Sequence, residues 1–516
     1  MRTKKLMALL LTSAVLTSTI GVPVYAGETK ALKIVEKPGD LSANGSRIGT
    51  PWNNRNFGVN LMFRSLFLAS NSELTEVEPD LAEKYEISED GLTYKITLKD
   101  GLLWSDGEAL TVDDVKWSIE TALKAAKINS IYTSAFTNIE SIETDGNNIT
   151  LKLTNPSSVL MNVLAQFAIL PKHCLENADP LKMEADEFWK APVTSGMFVV
   201  DEISAGNYYT LKYNEKYEGE EPEIKKVTCS YVNDFVTAAQ DGKVDFIAEQ
   251  EPALEETLSS MDNFTAHSID SLFYKYLIFN IKGKDGKENK AMENADVRRA
   301  LIEAIDRATL ATLYPNATVL HSGVPNDNSA YNGFEYKFDA EKAKADLEAA
   351  GSDMNRTLKI CYYNNDQTSI DLINTIVYYL EQTGIKVEAT MSSDGTTDLF
   401  TTRDYDIGFK GKSAFSINEW YTEYMSSDAL FSNIFGGDTE FDDAIVKLNS
   451  SFSPEENVEA LKELEALEQE KVYKVPLFTV GTFAFTSDRI TLPEDIEFCN
   501  PLYMSDIDFA EWTINE

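Results

Sequence analysis

The sequence predicts a two-lobed protein, a β-rich α+β half followed by an α/β half, with the end of the chain returning to the first half. Three observations predict it. Residues before about 275 read mainly as alternating strand runs. Residues after that alternate helix and strand. The stretch "YKVPLFTVGTFAFTSDRI" then goes back to strand character. A chain of 516 residues with 43% hydrophobic content holds about three domains' worth of core.

The N-terminus comes first. Arg2, Lys4 and Lys5 precede an apolar stretch, Leu6 to Ile20, and then small residues at Val24 and Ala26. This is the pattern of a secretory signal peptide over residues 1–26, cut after Ala26. No Cys stands at the cleavage site for lipid attachment, and no later stretch is apolar for the length of a membrane span. The expected location is extracytoplasmic: a bacterial periplasm, cell surface or medium.

Strands and helices follow in order. In "GLTYKITLKDG", Tyr94, Ile96 and Leu98 alternate with polar residues, and Ile149, Leu151 and Leu153 repeat this in "NNITLKLTN". Between them "LTVDDVKWSIETALKAA" is a helix, with Thr111 as N-cap and Asp114 completing a capping box. "GNYYTLKYNEKYEGEEPEIKKVTCSYV" gives two more strands. Further on, "ADVRRALIEAIDRATLATLY" puts Val297, Leu301, Ala304 and Ile305 on one helical face. "FDAEKAKADLEAAG" starts at Asp339 and stops at Gly351. "TLKICYY" and "IKVEATM" are strands flanking a helix. "SPEENVEALKELEALEQEKV" opens with Ser453 as N-cap, Pro454 at N1 and Glu456 closing the box.

Composition narrows the function. The net charge of −38 argues against nucleic acid and anionic lipid as partners. Cys174, Cys229, Cys361 and Cys499 contain no C-x-x-C pair; disulfides and buried thiols both remain open. His173, His267 and His321 match no zinc spacing, so neither a metal nor a cofactor is expected.

One stretch looks at first like a phosphate loop. "DIGFKGKS", residues 406–413, supplies Gly411, Lys412 and Ser413 of G-x-x-x-x-G-K-[ST], but Asp406 stands where the first Gly belongs. An extracytoplasmic setting, poor in ATP, weakens that reading further.

The chain resembles the extracellular solute-binding proteins of ABC importers, of the dipeptide- and oligopeptide-binding (family 5) type. The most specific block is "EVEPDLAEKYEISEDGLTYKITLKDGLLWSDGEALTVDDVKWSIE". "APVTSGMFVVDEISAGNYYTLKYNEKYEG", "GKVDFIA", "YLIFN" and "DVRRALIEAIDR" follow in the family's order. The resemblance implies a class II periplasmic-binding fold of the large type. Lobe 1 would comprise 27–275 and 476–516, with an extra subdomain over about 60–190, and lobe 2 would comprise 276–475. Tyr276–Asn280 and Val475–Thr479 would be the two crossings of a hinge. The implied function is that of a monomer that captures a solute, foremost an oligopeptide, between the lobes and delivers it to an ABC importer permease.

The same resemblance points to site residues. In peptide-binding relatives an aromatic residue is followed by an Asp that pairs with the peptide's ammonium. In "GFKGKSAFSINEW" Phe409 takes the aromatic place and Lys412 the place of the Asp. That reversal would repel an ammonium and favour an anionic solute or a polar sugar. Lys410, Glu419 and Trp420 belong to the same segment. From the first lobe, "TPWNNRNF" offers Trp52 for stacking, Asn53 and Asn54 as amides, and Arg55 as a planar cation. Two rival classes stand beside this one. A secreted glycoside-type hydrolase would need two carboxyls about 5–10 Å apart across a sugar. A surface sensor or adhesion protein would have a filled cleft.

Overall fold

The computed structural model describes residues 30–515, apart from 39–44, 50, 54–55, 70–76, 127, 129, 250–251, 270–271, 315, 415, 452, 495, 497 and 499–508. The expected signal segment, and with it Ala26, lies outside the described residues.

Two mixed sheets organise the chain. The first has seven strands in the order Phe264–Ile269, Thr482–Ser487, Phe246–Glu249, Ala31–Glu36, Lys226–Tyr231, Tyr208–Tyr213 and Phe198–Ser204. Ala31–Glu36 runs parallel to both of its neighbours, and the other pairings are antiparallel. The second has six strands: Thr318–Val319, Lys474–Thr479, Phe273–Phe279, Ile407–Ser413, Thr357–Tyr362 and Lys386–Met391. A separate four-stranded antiparallel sheet joins Ala82–Ile87, Thr93–Leu98, Asn148–Leu153 and Ile139–Asp145. Its core, with Tyr94, Ile96, Ile149 and Leu151, is continuous with that of the first sheet through Trp104, Phe167 and Trp189.

Local sequence accounts for many elements. Thr111 caps the helix Val112–Ala122, and Asp114 returns a bond to the Thr111 N–H, so both halves of the capping box are present. Asp339 caps Ala340–Ala349, and Gly351 follows with φ +80, a conformation that glycine adopts without strain. Ser453 accepts from the Glu456 N–H at the start of Pro454–Lys471. The stretch read as one helix over 295–314 is instead two, Ala295–Glu303 and Arg307–Ala311. Asp306 breaks it by accepting from the Thr309 N–H as a fresh N-cap.

The crossings differ from expectation. Tyr276–Asn280 and Val475–Thr479 do not bridge two bodies; they pair with each other inside the second sheet, Tyr276 opposite Pro476 and Leu277 opposite Val475. The boundaries at 275 and 476 therefore fall within strands. "FYKYLIF" is buried on both faces, with Tyr274, Tyr276 and Ile278 in one core and Leu277 and Phe279 in the other. Such a run is the signature of a central strand rather than of a hinge. The register slips between Lys275 and Tyr276, beside Pro476, which has no N–H to give to the ladder. The chain leaves the first sheet after Ile269 and enters the second at Phe273, and it returns between Thr479 and Thr482. The ends of the two passages are adjacent. Ile269 pairs with Thr482, Tyr274 pairs with Thr479, and the Val480 N–H donates to the Phe273 carbonyl at 2.9 Å.

Candidate functional site

The edge of the second sheet nearest the passages is formed by Phe273–Tyr276, Lys410–Ser413 and Phe478–Thr479, with Phe273 opposite Ser413 and Tyr276 opposite Lys410. "DIGFKGKS" is thus no phosphate loop. Residues 407–413 are an extended strand, and Asp406 accepts from both Arg356 terminal nitrogens, from Asn289 and from the Lys359 N–H.

Strand alternation sorts this segment into two faces. Ile407 and Phe409 enter the core beneath, where Phe409 is fully buried. Lys410 and Lys412 point the other way, toward Tyr274, Tyr276 and Trp420. Phe409 is therefore core and presents no aromatic surface to a solute, contrary to the expectation.

Lys412 is not a free cation either. Its ammonium donates to the Glu423 Oε1 at 2.8 Å and to the Glu419 carbonyl at 2.9 Å. The other Glu423 oxygen takes the fully buried Lys474 at 2.5 Å. Burial opposes charge on Glu423, but Lys412, Lys474 and Lys410 outweigh it and hold the carboxyl down at about 2. Burial pulls Lys474 down to about 8 against the attraction of Glu423. The Lys474 ammonium also sits 3.9 Å from the Trp420 ring centre.

Lys410 differs from its neighbours. Among the described residues its ammonium makes one hydrogen bond, to the Gly411 carbonyl at 3.2 Å, and lies 5.7 Å from the Tyr276 ring centre. Burial, the largest influence, lowers its pKa, as does Lys412, and Glu423 works the other way. Beside it, the Tyr276 hydroxyl is buried and has no hydrogen-bond partner among the described residues.

Trp420 and Glu419 are walls and anchors. The Trp420 Nε1 donates to Glu468 at 2.6 Å, and its ring packs 4.7 Å from that of Tyr274. A Cβ on Gly323 would stand 1.8 Å from the Trp420 Cδ1, so this close approach requires glycine. Glu468 also accepts from Tyr421, Tyr424 and the Gly323 N–H; burial pushes its carboxyl up against these bonds. Glu419 is buried, and its carbonyl receives Lys412.

In the first lobe, Trp52 belongs to the core. Its Nε1 donates to the Ala168 carbonyl at 2.9 Å and its ring stacks on Phe167 at 5.7 Å. Along with Trp189 and Met183 it lines a cavity of about 250 Å³. Asn53 is exposed, and Asn54 and Arg55 lie outside the described residues.

A polar cluster that sequence reasoning missed stands at the carboxyl end of Ala31–Glu36, between two parallel neighbours, where open α/β sheets hold ligands. Glu36 is buried, accepts from the Tyr209 hydroxyl at 3.3 Å and lies 3.9 Å from Arg47. Its Oε2 and the Asn56 Nδ2 have no hydrogen-bond partner among the described residues. Burial pushes the Glu36 carboxyl up in spite of Arg47. A strand ending in Glu was the available signal. For Lys474 it was a lone cation in an apolar run, and for Glu468 an acid on the apolar face of a helix.

Known proteins agree with this architecture. A profile of bacterial extracellular solute-binding proteins, family 5 Middle, matches residues 76–442. A putative ABC transporter peptide-binding protein of Brucella ovis is 28% identical over 333 residues, 61% of this chain. The match spans 60% of that relative's length. The crystal structure of a putative peptide binding protein AppA from Clostridium difficile superposes with TM-score 0.78 at 19% identity, covering 94% of this chain and 100% of that one. NikA from Brucella suis in complex with Fe(III)-EDTA superposes with TM-score 0.75 at 20% identity, covering 94% and 100%. At these identities the structural likeness establishes the fold, a two-lobed periplasmic-binding architecture.

Proposed function

The chain belongs to the bacterial extracellular solute-binding proteins of family 5, and from that premise we propose that it captures a solute between its two lobes and hands it to an ABC importer permease. The observation that carries this reading is that the chain crosses between the sheets twice, after Ile269 and after Thr479, with the ends of the two crossings paired. Two short passages whose flanking residues pair, Ile269 with Thr482 and Tyr274 with Thr479, let two sheets rotate with few backbone changes. A solute touching both lobes binds the closed arrangement better and shifts the population toward it. The Ser158 hydroxyl donates to the Asn449 carboxamide oxygen at 3.1 Å, a contact between the first unit and the helix Glu440–Asn449 of the second.

Peptide is the leading solute class, supported by the name of the Brucella ovis relative. NikA, with its bound Fe(III)-EDTA, keeps a non-peptide anion as the second reading. Lys410 favours an anionic group in either case, because it shares a strand face with Lys412 but, unlike Lys412, has no carboxylate partner among the described residues; Lys275, also without one, is covered by the Phe273 and Tyr314 rings. Lys410 thereby takes the anchoring role that the alignment assigned to Lys412, and Glu36, Arg47 and Asn56 are the facing candidates in the first lobe. Within this reading the protein binds without chemistry.

The test is calorimetry with short peptides as free acids and as C-terminal amides. Lys410→Met is expected to weaken the free acids about tenfold or more, the scale of a lost charge-assisted hydrogen bond, and to leave the amides nearly unchanged. Equal affinities of wild type and variant for both series would remove Lys410 from the site.

A further inference from the structure

Packing brings Asp106 together with a neighbouring pair of side chains 67 residues further on, His173 and Cys174. Asp106 lies in the turn between Leu103 and Ala109, which form an isolated bridge. That turn is closed by Trp104 N–H to the Glu108 carbonyl at 2.8 Å and Gly107 N–H to the Trp104 carbonyl at 2.9 Å. His173 and Cys174 are consecutive on the short helix Lys172–Leu175. Its start is fixed by the Lys172 N–H donating to the Asp114 Oδ1 at 2.9 Å. The packing of these two pieces sets the His173 Nε2 2.8 Å from the Asp106 Oδ2. One ligand atom from each of Asp106, His173 and Cys174 lies within 4.8 Å of the other two.

We propose that Asp106, His173 and Cys174 form a surface site for a divalent transition metal of the zinc class. Carboxylate, imidazole and thiolate are the three donor types that zinc takes, and the mixture of soft and borderline donors disfavours magnesium and calcium. Tetrahedral coordination with bonds of 2.0–2.3 Å places ligand atoms roughly 3.5 Å apart. The Asp106–His173 pair, hydrogen-bonded at 2.8 Å, must therefore open by under about 1 Å while the Cys174 sulfur closes in by about 1 Å, motions open to exposed side chains on a fixed backbone. The Glu108 N–H donates to the Asp106 Oδ1 at 3.1 Å and orients the carboxylate, the support that bound metals receive from their surroundings. With three protein donors, the fourth position is left to water. The sequence hid this site, because no His or Cys spacing signals a ligand 67 residues away.

Cobalt(II) is the probe, because a cobalt–thiolate bond absorbs in the near ultraviolet. The mature protein, titrated with cobalt chloride, is expected to show that band at one equivalent. Cys174→Ser is expected to abolish the band. Asp106→Asn and His173→Ala are expected to weaken cobalt at least about tenfold. Lys410→Met, at the solute site, is expected to keep the band, which separates this site from metal complexes bound as solute. Zinc should displace cobalt in the wild type. Absence of the band at sub-millimolar cobalt, or a band that survives Cys174→Ser, would overturn the proposal. Circular dichroism of each variant checks that the fold is intact.

Discussion

Glu423→Ala is expected to cost about 3–5 kcal/mol of stability, the range for breaking a buried ion pair by removing one partner. Glu423 bridges Lys412 at 2.8 Å and Lys474 at 2.5 Å. Lys474 is wholly inaccessible and Lys412 is 14% exposed. Without the carboxylate two cations remain buried side by side, with Lys410 close by. Urea unfolding measures the loss as a lower midpoint at unchanged slope. The pH dependence has a definite sign. The folded-state pKa is depressed from 4.5 to about 2, so the contribution is complete above 4.5 and fades as pH falls toward 2. The variant should therefore lose its disadvantage over that window. A variant within about 0.5 kcal/mol of wild type at neutral pH would show that water already reaches the pair.

Asp406→Ala is expected to cost about 3 kcal/mol, somewhat less than Glu423→Ala. Asp406 is 1% exposed and satisfies Arg356, Asn289 and the Lys359 N–H. It ties the loop after Phe279 to the strands Thr357–Tyr362 and Ile407–Ser413. The smaller loss follows from Arg356, whose side chain is 37% exposed and regains water when its partner goes. Urea unfolding gives the magnitude. Amide exchange should place the loosening at Lys359, whose N–H donates to the Asp406 Oδ2, and at Asn280, whose N–H donates to the Asp406 carbonyl. A loss as large as that of Glu423→Ala would mean that Arg356 stays desolvated.

The sequence was most legible where a local rule acts alone. The capping box of Thr111 and Asp114 and the start and stop at Asp339 and Gly351 are properties of a few adjacent residues, and the structure keeps them. The hinge was harder to place. An apolar run such as "FYKYLIF" marks a strand buried on both faces, but the passages are set by sheet pairings some 200 residues apart. The site was least legible. Phe409 and Lys410 were both expected at the solute, but consecutive residues of a strand face opposite ways. Trp52 gave no sign of its bond to the Ala168 carbonyl, 116 residues on. The partner of Lys412 lies 11 residues away, just past the helix Asn418–Thr422, and that of Lys474 lies 51 residues back, so neither ion pair has a spacing to read.

The central claim is that the two lobes close on a solute, and small-angle X-ray scattering tests it most directly. The protein is measured alone and after equilibration with an enzymatic protein digest that supplies peptides of many sequences. Hinge closure about the two crossings between the sheets, after Ile269 and after Thr479, predicts a smaller radius of gyration with digest. Digest treated to convert its carboxylates to amides should produce less of this change, given Lys410. An unchanged radius of gyration at saturating digest, with no peptide retained on the protein by native mass spectrometry, would contradict the account.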